Sequence, residues 1–323
     1  MNTPYHLPHL DDFLLHLQTN NYSEKTIYNY ERDLETFQVF LQETKTPFRD
    51  ISKNTINLYK AELISIDRKT LRNGKNASKK LKSASVNRLL SSIRAYLKYL
   101  IDADIPSPIS PEAIRLVKNE KKHPQISELD TLITLIESPS TIEGNKTVAL
   151  RNRAMMEVLF STGMRISELV SLNKNQIDNS GKIFITGKGR KERFVYLTPR
   201  AFDHLKNYLD KCSSDDSPAL FVPLRGSRTK KNQSSDKRIS TNYLQERIKY
   251  YRERLKINVP TSAHSLRHGF ATYLAEKGAN PAAIQILLGH ESLETTTRYV
   301  NPSDRYAEKT HKKFHPLKED KSK

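Results

Sequence analysis

The first hundred residues carry apolar side chains at helical spacing, separated by short polar connections. Ser23 is placed to cap one helix and Ser52 to begin another, because a serine side chain accepts backbone N–H groups left open at a helix start. Apolar residues recur every three or four positions in two long stripes: Ile27, Tyr30, Leu34, Phe37 and Leu41, and then Val86, Leu89, Leu90, Ile93, Leu97 and Leu100. The pattern predicts a small helical domain with its own core.

The rest of the chain predicts a larger domain that is also mainly helical. A strongly apolar helix covers 148–160, and Gly163 is suited to end it. Residues 182–187 and 192–197 alternate apolar and polar side chains around a glycine-containing turn, which is typical of a β-hairpin. Helical spacing returns over 242–288. The expected class is therefore mainly α with a small antiparallel β-sheet.

Prolines interrupt the helical pattern between the two domains, at Pro106, Pro108 and Pro111. Lysines keep the same stretch polar, as expected of a solvated linker. We divide the chain into an N-terminal helical domain at 1–104, a linker at 105–125, a second domain at 126–315 and a basic, polar tail at 316–323.

The charge of the chain is strongly positive: 54 Lys and Arg against 36 Asp and Glu give +18 over 323 residues. Such an excess predicts a polyanionic partner, either nucleic acid or an acidic membrane surface, and a merely basic soluble protein is the alternative. No apolar run approaches the length of a membrane span, and no secretory signal pattern is present. The single cysteine, Cys212, excludes an intramolecular disulfide, so we expect a cytoplasmic protein.

A basic cluster separates the last two predicted helices of the first domain. It is too polar for a core, and we expect either a solvated loop or contact with a phosphate backbone. Its members are Arg68, Lys69, Arg72, Lys75, Lys79, Lys80 and Lys82. Lys191 and Arg193, close to the tip of the predicted hairpin, are further candidates for backbone contact.

Six residues of the second domain form a set of cations and proton donors followed by one phenol. They are Arg165 within 161–169, Lys188 between two glycines, His264 and Arg267 in His-Ser-Leu-Arg-His, His290 after Leu-Leu-Gly, and Tyr299 after Thr-Thr-Thr-Arg. Cations can hold a phosphodiester and neutralise its transition state, while a tyrosine oxygen can attack it. No cluster of acidic metal ligands accompanies the set, so we expect no metal and no other cofactor.

Two of these segments have internal support. Arg165 could be a surface arginine, but its apolar flanks imply partial burial, and Glu168 three residues later can orient its charge. His264, Arg267 and His268 share one helical face, which capping or core packing explains less readily than a phosphate site does. We expect His268 to be a structural, hydrogen-bonded neighbour.

The other three residues depend more on their position. Lys188 could be a solvated turn lysine, and His290 could interact with the end of a helix. Tyr299 is one of 15 tyrosines, so its place shortly after the Leu-Leu-Gly-His segment decides its assignment.

Together these segments resemble the tyrosine recombinase (phage integrase) family, and most closely the Xer-type site-specific recombinases. The resemblance covers nearly the whole chain, and six positions in the family's order are hard to match by chance. It implies a SAM-like helical core-binding domain followed by a catalytic domain, closing on DNA as a C-shaped clamp. The implied roles are phosphate binding by Arg165, His264, Arg267 and His290, protonation of the leaving 5′-oxygen by Lys188, and nucleophilic attack by Tyr299.

The resemblance also implies a reaction and partners. Strands would be exchanged through a 3′-phosphotyrosyl intermediate and a Holliday junction, by four subunits on two double-stranded DNA sites. The tetramer would be a homotetramer or would include a second recombinase, and the role would be chromosome dimer resolution, with an FtsK-like translocase as a candidate partner and no membrane contact.

Three alternatives stay open at this point. The basic loop at 67–82 and the polar stretch at 224–239 look longer than is usual for Xer proteins, which favours the integrase of a mobile element. A type IB topoisomerase would use the same chemistry without pairing two sites. A non-catalytic DNA-binding protein would keep the charge, but it would not need the six-residue set.

Overall fold

The computed structural model describes residues 4–65, 80–118, 128–187, 192–212, 217–224 and 238–289. The chain divides into two compact units, Met1–His123 and Pro124–Lys323. Described helices dominate both units, and the described strands form one two-stranded antiparallel sheet. The predicted class, mainly α with a small antiparallel sheet, is confirmed.

Two predicted serine caps begin helices of the first unit, whose described residues form four α-helices. They are α1 (Leu10–Thr19), α2 (Glu24–Glu43), α3 (Lys53–Ile64) and α4 (Ser83–Asp102). Ser23 Oγ accepts the N–H of Thr26 at 3.2 Å, and Ser52 forms a reciprocal capping box with Thr55. Both predicted helix starts are confirmed.

The core of the first unit lies mainly between α2 and α4, and the predicted stripes supply it. The buried members are Leu34, Phe37, Leu41, Val86, Leu89, Leu90, Ile93, Leu97 and Leu100. One buried carboxylate also joins the two helices: Asp33 on α2 accepts from Ser92 Oγ at 2.8 Å and pairs with Arg88, both on α4. A carboxylate removed from water needs such partners to offset its lost hydration.

The second unit packs its helices around one long, largely buried helix, α7. Its elements are α5 (Leu129–Glu137), α6 (Pro139–Ile142), α7 (Lys146–Thr162), α8 (Ile166–Ser171), β1 (Lys182–Thr186), β2 (Glu192–Tyr196), α9 (Pro199–Cys212), α10 (Thr241–Arg254), α11 (Ala263–Glu276) and α12 (Pro281–Leu288). Helix α7 contacts α5, α6, α9 and α11. It is covered on nearly all sides, so polar residues such as Arg151, Asn152, Arg153 and Glu157 are buried together with its apolar ones.

Helix α7 ends at Gly163, as the sequence predicts. Gly163 adopts the left-handed conformation with a φ of +61°, which favours glycine at this position. A Cβ atom here would lie 2.3 Å from Cδ1 of Phe270 on α11. The chain therefore turns tightly against α11 and enters α8 three residues later.

The hairpin formed by β1 and β2 is also confirmed. Lys182 lies opposite Tyr196, and Ile185 lies opposite Arg193. The alternation buries Ile185, Arg193 and Val195 on one face, which leaves a charged residue on the core side of β2.

No helix among the described residues is long and apolar enough to cross a membrane.

Candidate active site

Three of the six predicted site residues lie in the part of the chain that the structure describes: Arg165, His264 and Arg267. The other three, Lys188, His290 and Tyr299, lie outside the described residues. Of the supporting candidates, Glu168, His268, Lys80, Lys82 and Arg193 are described, whereas Arg68, Lys69, Arg72, Lys75, Lys79 and Lys191 are not.

Arginine side chains converge on the carboxyl end of α12. Each of three consecutive carbonyls accepts from a different guanidinium: Leu287 O from Nε of Arg193 at 2.9 Å, Leu288 O from Nη2 of Arg267 at 2.6 Å, and Gly289 O from Nη2 of Arg165 at 3.1 Å. Carbonyls at a helix end have no partner within the helix and carry partial negative charge. The end of α12 is therefore a natural meeting point for cations.

Glu168 holds Arg165 from the other side. Its Oε2 accepts the backbone N–H of Arg165 at 2.7 Å, and its Oε1 accepts Nη1 of the same residue at 2.9 Å. The first turn of α8 supplies this geometry because Glu168 lies three residues after Arg165. The orienting contact that the sequence suggested is present in the structure.

Arg193 binds the same carboxylate. Its Nη1 donates to Oε1 of Glu168 at 3.0 Å and its Nη2 to Oε2 at 2.8 Å, in the paired arrangement typical of arginine and carboxylate. Burial alone would raise the pKa of Glu168, but the hydrogen bonds from Arg193 and from the backbone of Arg165 outweigh it and lower that pKa. Glu168 is therefore a buried anion shared by two arginines.

The inward position of Arg193 corrects one expectation. We expected Arg193 to contact a phosphate backbone, but its side chain is 7% exposed and its guanidinium is occupied by Glu168 and Leu287. Strand alternation could have revealed this, because Arg193 shares a face with Val195. Lys80 and Lys82, by contrast, are exposed at the start of α4, as backbone contact requires.

Arg267 is the most enclosed of the three arginines. It is 3% exposed, and its Nη1 donates to Gly163 O at 2.7 Å while its Nη2 donates to Leu288 O. It thereby joins the end of α7 to the end of α12. The side chain of Arg165 is 34% exposed, so it can also reach a ligand.

His264 and His268 face each other on α11, one turn apart. Their Nε2 atoms are 2.7 Å apart and their rings are perpendicular, so one ring donates and the other accepts. Burial lowers the pKa of both histidines. At His264, the positive charges of Arg267 and Arg165 lower the pKa further. At His268, His264 and Arg267 lower the pKa further, to about 4. Both rings are therefore neutral hydrogen-bonding groups at neutral pH.

The cluster offers cations and neutral donors rather than metal ligands. Among the described residues, no group of three His, Cys, Asp or Glu side chains could hold a metal ion. The carboxylate of Glu168 is already taken by two arginines. Such an arrangement can bind an anion and stabilise charge that develops on it.

Comparison with known proteins identifies families that match both units. The phage integrase family model matches residues 126–305, and the model of the phage integrase N-terminal SAM-like domain matches residues 10–104. Each match covers most of one compact unit.

Individual relatives match over nearly the full chain. Tyrosine recombinase XerD of Staphylococcus epidermidis is 30% identical over 301 residues, covering 91% of this chain and 93% of the relative. The XerH site-specific recombinase, in a post-cleavage complex with a palindromic difH substrate, superposes with a TM-score of 0.66 at 22% identity, over 90% of this chain and 80% of that one. A lambda integrase tetramer bound to a Holliday junction superposes with a TM-score of 0.65 at 19% identity, over 90% of this chain and 75% of that one.

Proposed function

The chain belongs to the phage integrase family and is a tyrosine recombinase, and we propose that it breaks and rejoins DNA at specific sites through a 3′-phosphotyrosyl intermediate and a Holliday junction. The observation that carries this proposal is that Arg165 and Arg267 bind adjacent carbonyls at the end of α12, with His264 on the same helix as Arg267. Burial lowers the pKa of His264, and the charges of Arg267 and Arg165 lower it further. In the sequence, His290 follows this helix end directly and Tyr299 comes nine residues later.

In the proposed reaction, the phenol of Tyr299 loses its proton to solvent as its oxygen attacks the scissile phosphorus. The bond from phosphorus to the 5′-oxygen breaks, and Lys188 donates the proton that the leaving oxygen needs. Arg165, His264, Arg267 and His290 hold the non-bridging oxygens and balance their charge. Since the phosphotyrosyl bond keeps the energy of the phosphodiester, a 5′-hydroxyl can reverse the step without ATP.

The domain assignment follows the same proposal. Residues 1–104 form the core-binding domain, 105–125 the linker, 126–315 the catalytic domain and 316–323 a basic tail. The DNA backbone is contacted by the basic cluster of the first domain and by Lys191. Lys80 and Lys82, at the end of that cluster, are exposed. With one cysteine in the chain, we place the reaction in the cytoplasm.

Four subunits acting on two sites form the proposed assembly. XerH is known in complex with its difH substrate and lambda integrase as a tetramer on a Holliday junction, and both share this fold. We propose chromosome dimer resolution, because the XerD relative is 30% identical over nearly the whole chain. A second recombinase and an FtsK-like translocase are the accessory partners that this role would use.

Integration of a mobile element is the second candidate. The fold does not separate the two, since XerH and lambda integrase superpose almost equally well, with TM-scores of 0.66 and 0.65. The unusually long basic and polar stretches of this sequence favour the second role. The identity of the selected DNA site, near a chromosome terminus or at an element boundary, would distinguish them.

The proposal is tested by selecting bound sites from genomic DNA and placing two of them on one supercoiled plasmid in excess EDTA. We expect site-dependent deletion or inversion without added metal. Relaxation of a plasmid that lacks the sites would instead indicate a type IB topoisomerase. Binding without any strand exchange or cleavage would indicate a DNA-binding protein, and strict dependence on Mg²⁺ would contradict the metal-free mechanism.

A further inference from the structure

Arg193 is a buried charge on the core face of a short strand, where an aliphatic side chain would pack without penalty. It lies opposite Ile185 and shares its face with Val195. A cation in this position must recover its lost hydration through close partners. The contacts of Arg193 therefore indicate the role of this buried charge.

Those contacts join three separate parts of the second unit. The guanidinium spans both oxygens of Glu168 on α8, at 3.0 and 2.8 Å, and its Nε donates to Leu287 O on α12 at 2.9 Å. Strand β2 begins four residues after Lys188 in the sequence. A single side chain thus connects the hairpin, the helix after Arg165 and the helix before His290.

Glu168 is balanced between two arginines. Its oxygens accept two N–H groups from Arg193 and two from Arg165, one of which is a backbone N–H. If Arg193 were absent, Glu168 would keep Arg165 as its one strong cationic partner in this cluster. The carboxylate would then draw the Arg165 guanidinium towards itself, away from a phosphate outside.

Packing at Gly289 shows how closely Arg193 approaches the end of α12. A Cβ atom at Gly289 would lie 2.9 Å from Nη1 and 3.1 Å from Cζ of Arg193. Gly289 also has a φ of +63°, which favours glycine in its own right. The guanidinium therefore fills the space that a side chain at 289 would need.

We propose that Arg193 is a positioning residue for strand cleavage: it neutralises Glu168 and fixes the end of α12, so that Arg165 is presented to the scissile phosphate. The proposal rests on the proposed function. Arg193 does not touch DNA in this account and acts through Glu168. Lysine cannot replace it, because an ammonium group cannot span both carboxylate oxygens and also reach Leu287.

The test compares Arg193→Lys with Arg153→Lys in the full-length chain. Arg153 is a matched control because it pairs with Glu157 in the same unit, at 2.8 Å, with side chains 9% and 6% exposed. Covalent adduct formation is measured at saturating protein on a suicide substrate, together with half-site affinity. We expect Arg193→Lys to slow cleavage by about 10- to 100-fold, in line with the cost of a small misplacement, while affinity changes little.

A double-mutant cycle with Glu168→Gln separates positioning from general loss of structure. If Arg193 acts through Glu168, Arg193→Lys should slow cleavage by a much smaller factor in the Glu168→Gln chain than in the natural chain. Thermal unfolding of the single and double variants, measured alongside, identifies any loss of cleavage that comes from poor folding.

Cleavage by Arg193→Lys at the natural rate would overturn the inference. So would an equal loss in both backgrounds, or an equal loss in Arg153→Lys. These results differ from failure of the proposed function, in which the natural chain would form no covalent adduct at all and both proposals would fall.

Discussion

Among single residues, the pair of His264 and His268 should respond most clearly to pH. Burial and neighbouring positive charge lower the pKa of both, that of His268 to about 4, against an ordinary value of about 6.5. The unfolded chain therefore takes up protons first as the pH falls from about 6.5 towards 4, and the free energy of unfolding decreases over that window.

We expect NMR titration to show the His268 ring protonating far below the range of an ordinary histidine. The fall in stability between pH 6.5 and 4 should be shallower in His268→Gln, because the group that resists protonation is removed. A His268 ring that titrates at 6.5 or above in the folded protein would contradict the arrangement of the pair.

Some contacts between residues of this site can be predicted from the sequence, and others cannot. The contact between Arg165 and Glu168 was predictable, because three residues of separation at a helix start bring the side chains together. The pairing of Glu168 with Arg193 was not, since it joins positions 25 residues apart on different elements. Strand alternation places Arg193 on the same face as Val195, but only the tertiary fold shows the partner that lets an arginine face inward.

At the scale of elements, the turn from α7 into α8 brings together the parts of the site. Gly163 ends α7 with a positive φ, its carbonyl accepts from Arg267, and Arg165 follows two residues later. The substitution Gly163→Ala would impose a left-handed conformation on a residue with a side chain and a clash with Phe270 at 2.3 Å. We expect a loss of about 1–3 kcal/mol in the free energy of unfolding, measured with denaturant.

Gly144→Ala is the matched control for this turn. Nothing lies within 4 Å of a Cβ atom at Gly144, and its φ is not in the left-handed region. It should change the free energy of unfolding by only a few tenths of a kcal/mol. Equal stability of the two variants would show that the turn at Gly163 is not as tight as described.

Most elements followed from the pattern of apolar residues. The stripes after Ser23 and before residue 102, the apolar α7 and the alternating hairpin were all predicted, because each buries one face or nearly all of its surface. Helix α9 was not predicted. Its buried residues, Ala201, Leu205 and Tyr208, form a narrow stripe within a highly charged segment, and burial against α7 decides its conformation.

At the scale of the whole molecule, the chain consists of two compact units with an excess of positive charge. Both features suit a protein that binds DNA through two domains, but neither specifies how subunits assemble. For assembly the sequence offers the segment after Tyr299, which lies outside the described residues. Tyr306, Ala307, Thr310 and Phe314 recur there at helical spacing. We propose that this segment docks into a neighbouring subunit, as the resemblance to Xer-type recombinases implies, and the alternative is that it packs on its own domain.

Deleting residues 303–323 should therefore separate binding from assembly. We expect one truncated protomer to bind a half-site normally, while cooperative binding to the full site and recombination are lost, because each subunit lacks the contact to its neighbour. Gel-shift titrations and a paired-site recombination assay measure the two properties. Synapsis and recombination at the full-length rate would show that the tail is a passive appendage.

Covalent trapping on a suicide substrate tests most directly whether Tyr299 attacks the scissile phosphate. On a denaturing gel, the natural chain should form a protein–DNA adduct, and proteolysis with mass spectrometry should place the DNA on Tyr299. Tyr299→Phe should bind the site normally but form no adduct, while Tyr196→Phe, which alters a tyrosine that is 55% exposed on the hairpin, should form it at the natural rate. An adduct that persists in Tyr299→Phe would contradict the account.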